Sequence, residues 1–176
     1  GGTFDISIIE IRDKVFEVVA TGGDTFLGGI DFDARIIGRV IDEFRREHNV
    51  DLFSDPVAIQ RLREASERAK ISLSAAPETA IEVPFIARGK KGILNVNHRM
   101  TRLDLEELVQ DLVSRTISTC EQIFGEASLT PEAIDEVLLV GGQSRMPLVQ
   151  QSVRTYFGRE PCKGVHPDEA VAVGAA

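Results

Sequence analysis

Cysteine is scarce in this sequence: 176 residues hold two, Cys120 and Cys162. They lie far apart without a Cys-x-x-Cys partner. A disulfide framework and a zinc cluster are thereby excluded, and a reducing, cytoplasmic setting is the expectation. Both thiols read as small buried or half-buried filler. Long apolar runs are also missing, and none approaches the ~18–20 residues of a membrane span. Positive charge is in deficit, with 20 Lys and Arg against 28 Asp and Glu and a net charge of -8. That balance disfavours sequence-independent binding to a phosphate backbone, so neither nucleic acid nor a membrane is an expected partner. Internal repeats, low-complexity tracts and flexible linkers are absent. What remains is ordinary globular composition, 43% hydrophobic and 27% charged. A chain of this size can bury roughly 70% of its unfolded surface, enough for one good core or two small ones. The start at Gly1-Gly2-Thr3 and the end inside an apolar helical pattern, Val173-Gly174-Ala175-Ala176, read as a segment of a longer protein.

The apolar periodicity predicts the elements. Phe4 to Ile11 alternates, Arg12-Asp13-Lys14 is polar, and Val15 to Val19 resumes, which reads as a hairpin. Asp24 to Leu27 reads as a short third strand closed by Gly28-Gly29. Phe32, Ile36, Ile37, Val40, Ile41 and Phe44 form one helical stripe. Asp55-Pro56 supplies a cap and a first-turn proline for a second helix running to about Ser74. Thr79 to Ala87 and Gly92 to Met100 flank Arg88-Gly89-Lys90-Lys91 as a second hairpin. Thr101 and Asp104 resemble a capping box that opens a long helix to about Phe124. Glu136 to Val140, apolar after its first residue, reads as a strand buried on both faces. Pro147 opens a helix through Phe157, and Pro167-Asp168-Glu169 opens the last one. The fold class is α/β: an outer layer from both ends of the chain, with residues near 29 to 104 as an inserted subdomain.

Three constellations could carry chemistry. In Gly1-Gly2-Thr3-Phe4-Asp5, glycine backbone and a hydroxyl could approach a phosphate, and the Asp5 carboxylate suits a hard cation. A glycine turn with a solvated aspartate is the plainer reading. In Val137 to Pro147, a strand, the Gly141-Gly142 turn and a helix start make an anion cradle, with Arg145 able to meet a phosphate or lie flat on a base. This is neither a Walker A loop nor GxGxxG, and a tight turn with a surface arginine explains it equally well. On the second helix, Glu67, Lys70 and Ser74 share a face and offer an acceptor, a cation and a hydroxyl to a ribose and a base edge. An exposed Glu–Lys helix pair is the alternative. No Ser/His/Asp or Cys/His nucleophile set is visible, and His48, His98 and His166 are scattered.

Taken together, these segments resemble the nucleotide-binding domain of the DnaK-type heat-shock chaperones. Gly1 to Asp5 is similar to the end of their second phosphate motif, and Gly23-Asp24-Thr25-Phe26-Leu27-Gly28-Gly29-Ile30-Asp31-Phe32-Asp33 to their GDTHLGGEDFD stretch. Leu62 to Leu73 resembles their adenosine helix, Leu138 to Pro147 their LVGGxxRxP segment, and Pro167 to Ala176 their PDEAVAxGAA. The resemblance covers the whole chain in order. It implies the second lobe of an actin-like ATPase on a ribonuclease-H-like layer. Residues 1–28 and 105–176 would be the cleft-forming base and 29–104 the outer subdomain with the adenosine helix. The implied ligands are ATP or ADP with Mg²⁺ and, as a monovalent cation, K⁺. Gly1, Gly2 and Thr3 would contact the β and γ phosphates, and Asp5 would hold a cation through water. Glu67 and Lys70 would hold the ribose hydroxyls and Ser74 the adenine edge. Gly141 and Gly142 would line the phosphate–ribose path, Arg145 would pack on the adenine face, and Asp168 would close the pocket. Phe26, Ile30 and Ile71 depart from the family's usual His, Glu and Arg. The acid three residues before Gly1 in the family motif, and the first lobe's phosphate loop and lysine, are not in this sequence, so the chain alone is expected to bind nucleotide weakly without hydrolysis. The implied partners are a J-domain co-chaperone, for which Glu10, Asp13 and Glu17 of the first hairpin offer acid, a nucleotide exchange factor, the first lobe and a substrate-binding domain. The alternatives are a non-hydrolysing chaperone paralogue acting as exchange factor or binding partner, and another actin-like ATPase or sugar kinase.

Overall fold

The structure is a computed structural model that describes residues 1–90 and 92–162. Its elements run β1 (Phe4–Arg12), β2 (Val15–Asp24), α1 (Gly29–His48), α2 (Pro56–Ala75), β3 (Glu78–Gly89), β4 (Gly92–Thr101), α3 (Arg102–Glu126) and α4 (Pro147–Phe157). Short 3-10 turns stand at Pro131–Ala133 and Gly142–Arg145. The sheets are two separate antiparallel hairpins, β1-β2 and β3-β4. The chain divides into two compact units, one of residues 1–30 with 111–176 and one of residues 31–110.

In the 31–110 unit the periodicity of α1 decides what is buried. Phe32, Ile36, Ile37, Val40, Ile41 and Phe44 all lie in the core. Helix α2 begins where the sequence predicts: the Asp55 carboxylate accepts from the backbone N–H groups of Val57 and Ala58, with Pro56 at the first helical position. Two otherwise orphaned donors are thereby satisfied. Its narrow stripe of Ala58, Leu62, Ala65, Ala69 and Leu73 is buried. The β3-β4 register shifts between Val83 and Ala87. There Phe85 adopts φ +53°, a left-handed conformation that a bulky residue enters only under constraint. The constraints are visible. Phe85 N–H donates to Asn95 Oδ1 at 2.7 Å, and the Arg61 guanidinium donates to the carbonyls of Pro84 (2.5 Å) and Phe85 (3.1 Å). At the other end of the hairpin, Arg102 donates to the carbonyls of Leu73 and Ala76. The Thr101–Asp104 box forms reciprocally: Thr101 N–H donates to Asp104 Oδ2 at 2.8 Å, and Asp104 N–H donates to Thr101 Oγ1 at 3.1 Å.

The other unit has a smaller core of Ile8, Cys120, Ile123 and Phe124, joined by Phe4, Ile6, Tyr156 and Phe157 among its half-buried neighbours. The β1-β2 turn is a two-residue loop with Asp13 and Lys14 at φ 49° and 67°, the twist that hairpins favour. Two sequence expectations fail here. The third strand at Asp24–Leu27 does not form. Strand β2 continues through Asp24, whose carboxylate accepts from Phe26 N–H at 2.9 Å and pairs with Arg115. A side chain that bonds the backbone two residues on closes a turn in place of a strand. The strand at 136–140 also does not form. Leu138 and Val140 are 56% and 47% exposed, and the segment has no ladder partner among the described residues. Among the described residues, Cys162 N–H donates to the Val137 carbonyl at 2.8 Å. An apolar run does not become a buried strand without a neighbouring edge to supply its hydrogen bonds. The predicted helix at Pro167–Glu169 lies outside the described residues.

Candidate functional site

Each candidate group can be followed from its local structure. Gly1, Gly2 and Thr3 precede β1, with Gly1 and Thr3 exposed and Gly2 half-buried, and Asp5 stands exposed on the strand. The Gly1 carbonyl accepts from Ile30 N–H at 3.4 Å. A Cβ at Gly28 would collide with the backbone of Gly1 and Gly2, so only glycine allows that close approach. A Cβ at Gly1 would meet nothing within 4 Å.

Gly141 adopts φ +88°, and a Cβ there would likewise meet nothing within 4 Å. Its carbonyl is turned inward, accepting from Ser144 N–H at 3.1 Å and from Ser144 Oγ at 2.6 Å. The 3-10 turn Gly142–Arg145, capped by Gly141 and containing the second glycine, stands between Gly141 and α4, whose N-cap is Met146. The sequence reading of glycines leading straight into a helix N-terminus is corrected accordingly: a 3-10 turn, closed by the Ser144 hydroxyl, intervenes. Gly141, Gly142 and Arg145 are exposed.

Glu67, Lys70 and Ser74 lie on α2 as predicted, with Glu67 exposed and the other two half-buried. The Ser74 hydroxyl donates to the Lys70 carbonyl at 3.3 Å. The Lys70 ammonium lies 2.9 Å from Asp33 Oδ1 on α1, and the two side chains are 12% and 10% exposed. The contact is a charge-assisted ion pair. Burial pushes the Asp33 carboxyl up, the Lys70 ammonium pulls it back, and Glu67 adds to the upward push. Sequence reasoning assigned Asp33 no role. The available signal was an acid set beside the apolar stripe of α1, next to Phe32 and one turn before Ile36 and Ile37.

Gly1 to Asp5 and Gly141 to Arg145 belong to the first unit, and Glu67, Lys70 and Ser74 to the second. Asp168 lies outside the described residues. Among the described residues there is no group of three or more His, Cys, Asp or Glu able to hold a metal ion, so a cation near Asp5 would need water or phosphate oxygens to complete its shell.

A cavity of about 240 Å³ elsewhere in the 31–110 unit is lined by Arg39, Glu43, His98, Arg99, Met100, Asp104 and Leu108. Its charges answer one another. Glu43 lies 2.5 Å from Arg39 and 2.7 Å from His98. Burial raises the Glu43 carboxyl, but Arg39 and His98 outweigh it and hold the group below its ordinary value. This cavity contains none of the candidate residues.

A family model matches the chain over residues 1–176, its full length, and defines the class: ATP-dependent heat-shock chaperones with an actin-like ATPase fold. The model is described as Hsp70 protein, and the chain belongs to that family. The mixed α/β build with small sheets agrees with it. No helix among the described residues is long and apolar enough to cross a membrane.

Proposed function

We propose that this chain forms the second lobe of the nucleotide-binding domain of an Hsp70 chaperone ATPase. Residues 1–28 and 105–176 serve as the base and 29–104 as the outer subdomain. The observation that carries the reading is the family match over every residue. The local features agree with it: open glycine backbone at Gly1 and Gly141 suits phosphate oxygens, and the Glu67–Lys70–Ser74 face of α2 suits a ribose and an adenine edge. Gly1, Gly2, Thr3, Gly141 and Gly142 would bind phosphate and ribose oxygens, and Asp168 would close the pocket. Arg145 would pack on the adenine. Mg²⁺ or a monovalent cation such as K⁺ would neutralise phosphate charge, with Asp5 holding its water. The parent protein is an ATPase that works in a cytoplasmic folding cycle with a J-domain co-chaperone and an exchange factor. The acid of the first hairpin would meet the J-domain, with Arg12 paired to Glu10 at 2.6 Å diluting it.

Phosphoryl transfer needs several positioned groups at once, and this chain carries only part of the set. Calorimetry with ADP is expected to give high-micromolar to millimolar affinity, and a phosphate-release assay to give no turnover above background. Failure of ADP to bind at millimolar concentration would overturn the lobe assignment, and turnover by clean protein would overturn the inactivity.

A further inference from the structure

The ion pair between Asp33 and Lys70 has no sufficient explanation in stability. Asp33 is 7% exposed, on the same helix that buries Phe32, Ile36 and Ile37. A carboxylate there loses its hydration, and one ammonium at 2.9 Å compensates it. Buried pairs of this kind are often replaceable by apolar side chains without loss of stability, although removing one partner alone is strongly destabilising. The pair does, however, fix a location. A lysine side chain has four rotatable bonds, and its charged head is otherwise free to follow solvent. Helix α1 anchors that head at a defined point beside Glu67 and Ser74, one turn away in either direction on α2. The charged groups acting on Asp33 are Lys70, Glu67 and Arg63, all from α2.

We propose that Asp33 is a positioning residue for nucleotide binding: it holds the Lys70 ammonium where the vicinal hydroxyls of a ribose are recognised. This rests on the α2 assignment in the proposed function. Asp33 itself need not touch the ligand. Its contribution is to remove the rotamer freedom that Lys70 would otherwise lose on binding.

The test compares ADP with 2′,3′-dideoxy-ADP on the intact chain by NMR titration. The two ligands share base and phosphates, so the ratio of their affinities isolates the ribose hydroxyls. The wild-type chain is expected to prefer ADP by about tenfold, the size of one well-placed charged hydrogen bond. Asp33→Asn is expected to cut that preference to under about threefold while dideoxy-ADP binds nearly as before. Asp33→Glu keeps the charge but carries the carboxylate one methylene further, so it too is expected to lower the preference. This variant decides the matter if Asp33→Asn does not fold. Equal weakening of both ligands, or a preference left intact in both variants, would show a merely structural pair and overturn the proposal. A wild-type chain that binds ADP and dideoxy-ADP equally would overturn the ribose reading of α2, and the role of Asp33 with it.

Discussion

Asp104 shows how much a single side chain settles locally. Its carboxylate accepts from the Thr101 hydroxyl at 2.5 Å and from Thr101 N–H, and these bonds, the hydroxyl first, hold the carboxyl below its ordinary value. Asp104→Ala is expected to cost about 1 kcal/mol, the worth of a helix cap, or about 2–4 °C in thermal midpoint for a chain of this size. The sign of the pH dependence follows from the lowered folded value. The contribution is fully present above the unfolded pKa of about 3.9 and is lost as pH falls through the lower folded one. Melts at neutral pH and near pH 3 should therefore show the gap between wild type and variant narrowing on acidification. A gap that widens in acid would refute the box. Cys120 is a contrasting case, since burial pushes its thiol up to about 11 and leaves it inert filler, as the sequence suggested.

At the scale of elements, local backbone chemistry fixed the first hairpin. Asp13 and Lys14 both take positive φ, a conformation that Asn-Gly adopts with less strain. The double substitution Asp13→Asn, Lys14→Gly is expected to stabilise the chain by about 0.5–1 kcal/mol. Urea unfolding would read it as a raised midpoint at unchanged slope, and a lowered midpoint would contradict the turn type. The second hairpin was legible as a pair of alternating segments, yet its bulge was not. That bulge depends on Arg61, 24 residues from Phe85 in sequence, and no window-length pattern contains such a partner. The face of α2 was legible because residues three and four apart share a side of any helix. Its counter-charge on α1 was not, because that pairing requires two helices to be packed first.

For the whole molecule, the division at residues 30/31 and 110/111 implies a testable autonomy. The buried side chains of the 31–110 unit, among them Phe32, Ile41, Leu62, Ile81, Val96 and Val109, come from within that stretch, as do its Asp55 and Thr101 caps. A polypeptide of residues 31–110 is therefore expected to fold alone, with a cooperative thermal transition and slow amide exchange at Ile36, Ile41 and Leu62. A broad, non-cooperative melt with rapid exchange throughout would show that the stretch depends on the rest of the chain.

The sequence alone determined three helices, read from the Phe32–Phe44 stripe, from Asp55-Pro56 to about Ser74 and from Thr101 to about Phe124, because their signals are short-range: a 3.6-residue apolar period, a capping carboxylate, a first-turn proline. It also carried the family resemblance, through motif residues in order along the chain. Tertiary structure decided what depended on a distant partner. Asp24 ends β2 because Phe26 N–H and Arg115 are at hand. Leu138 and Val140 stay exposed because no strand edge lies beside them among the described residues. Asp33 is tolerable in a core only because α2 delivers Lys70 to it. Periodicity encodes which face of an element is apolar. It carries no information about which edge or charge will arrive from elsewhere in the chain, and only the packed structure fixes that.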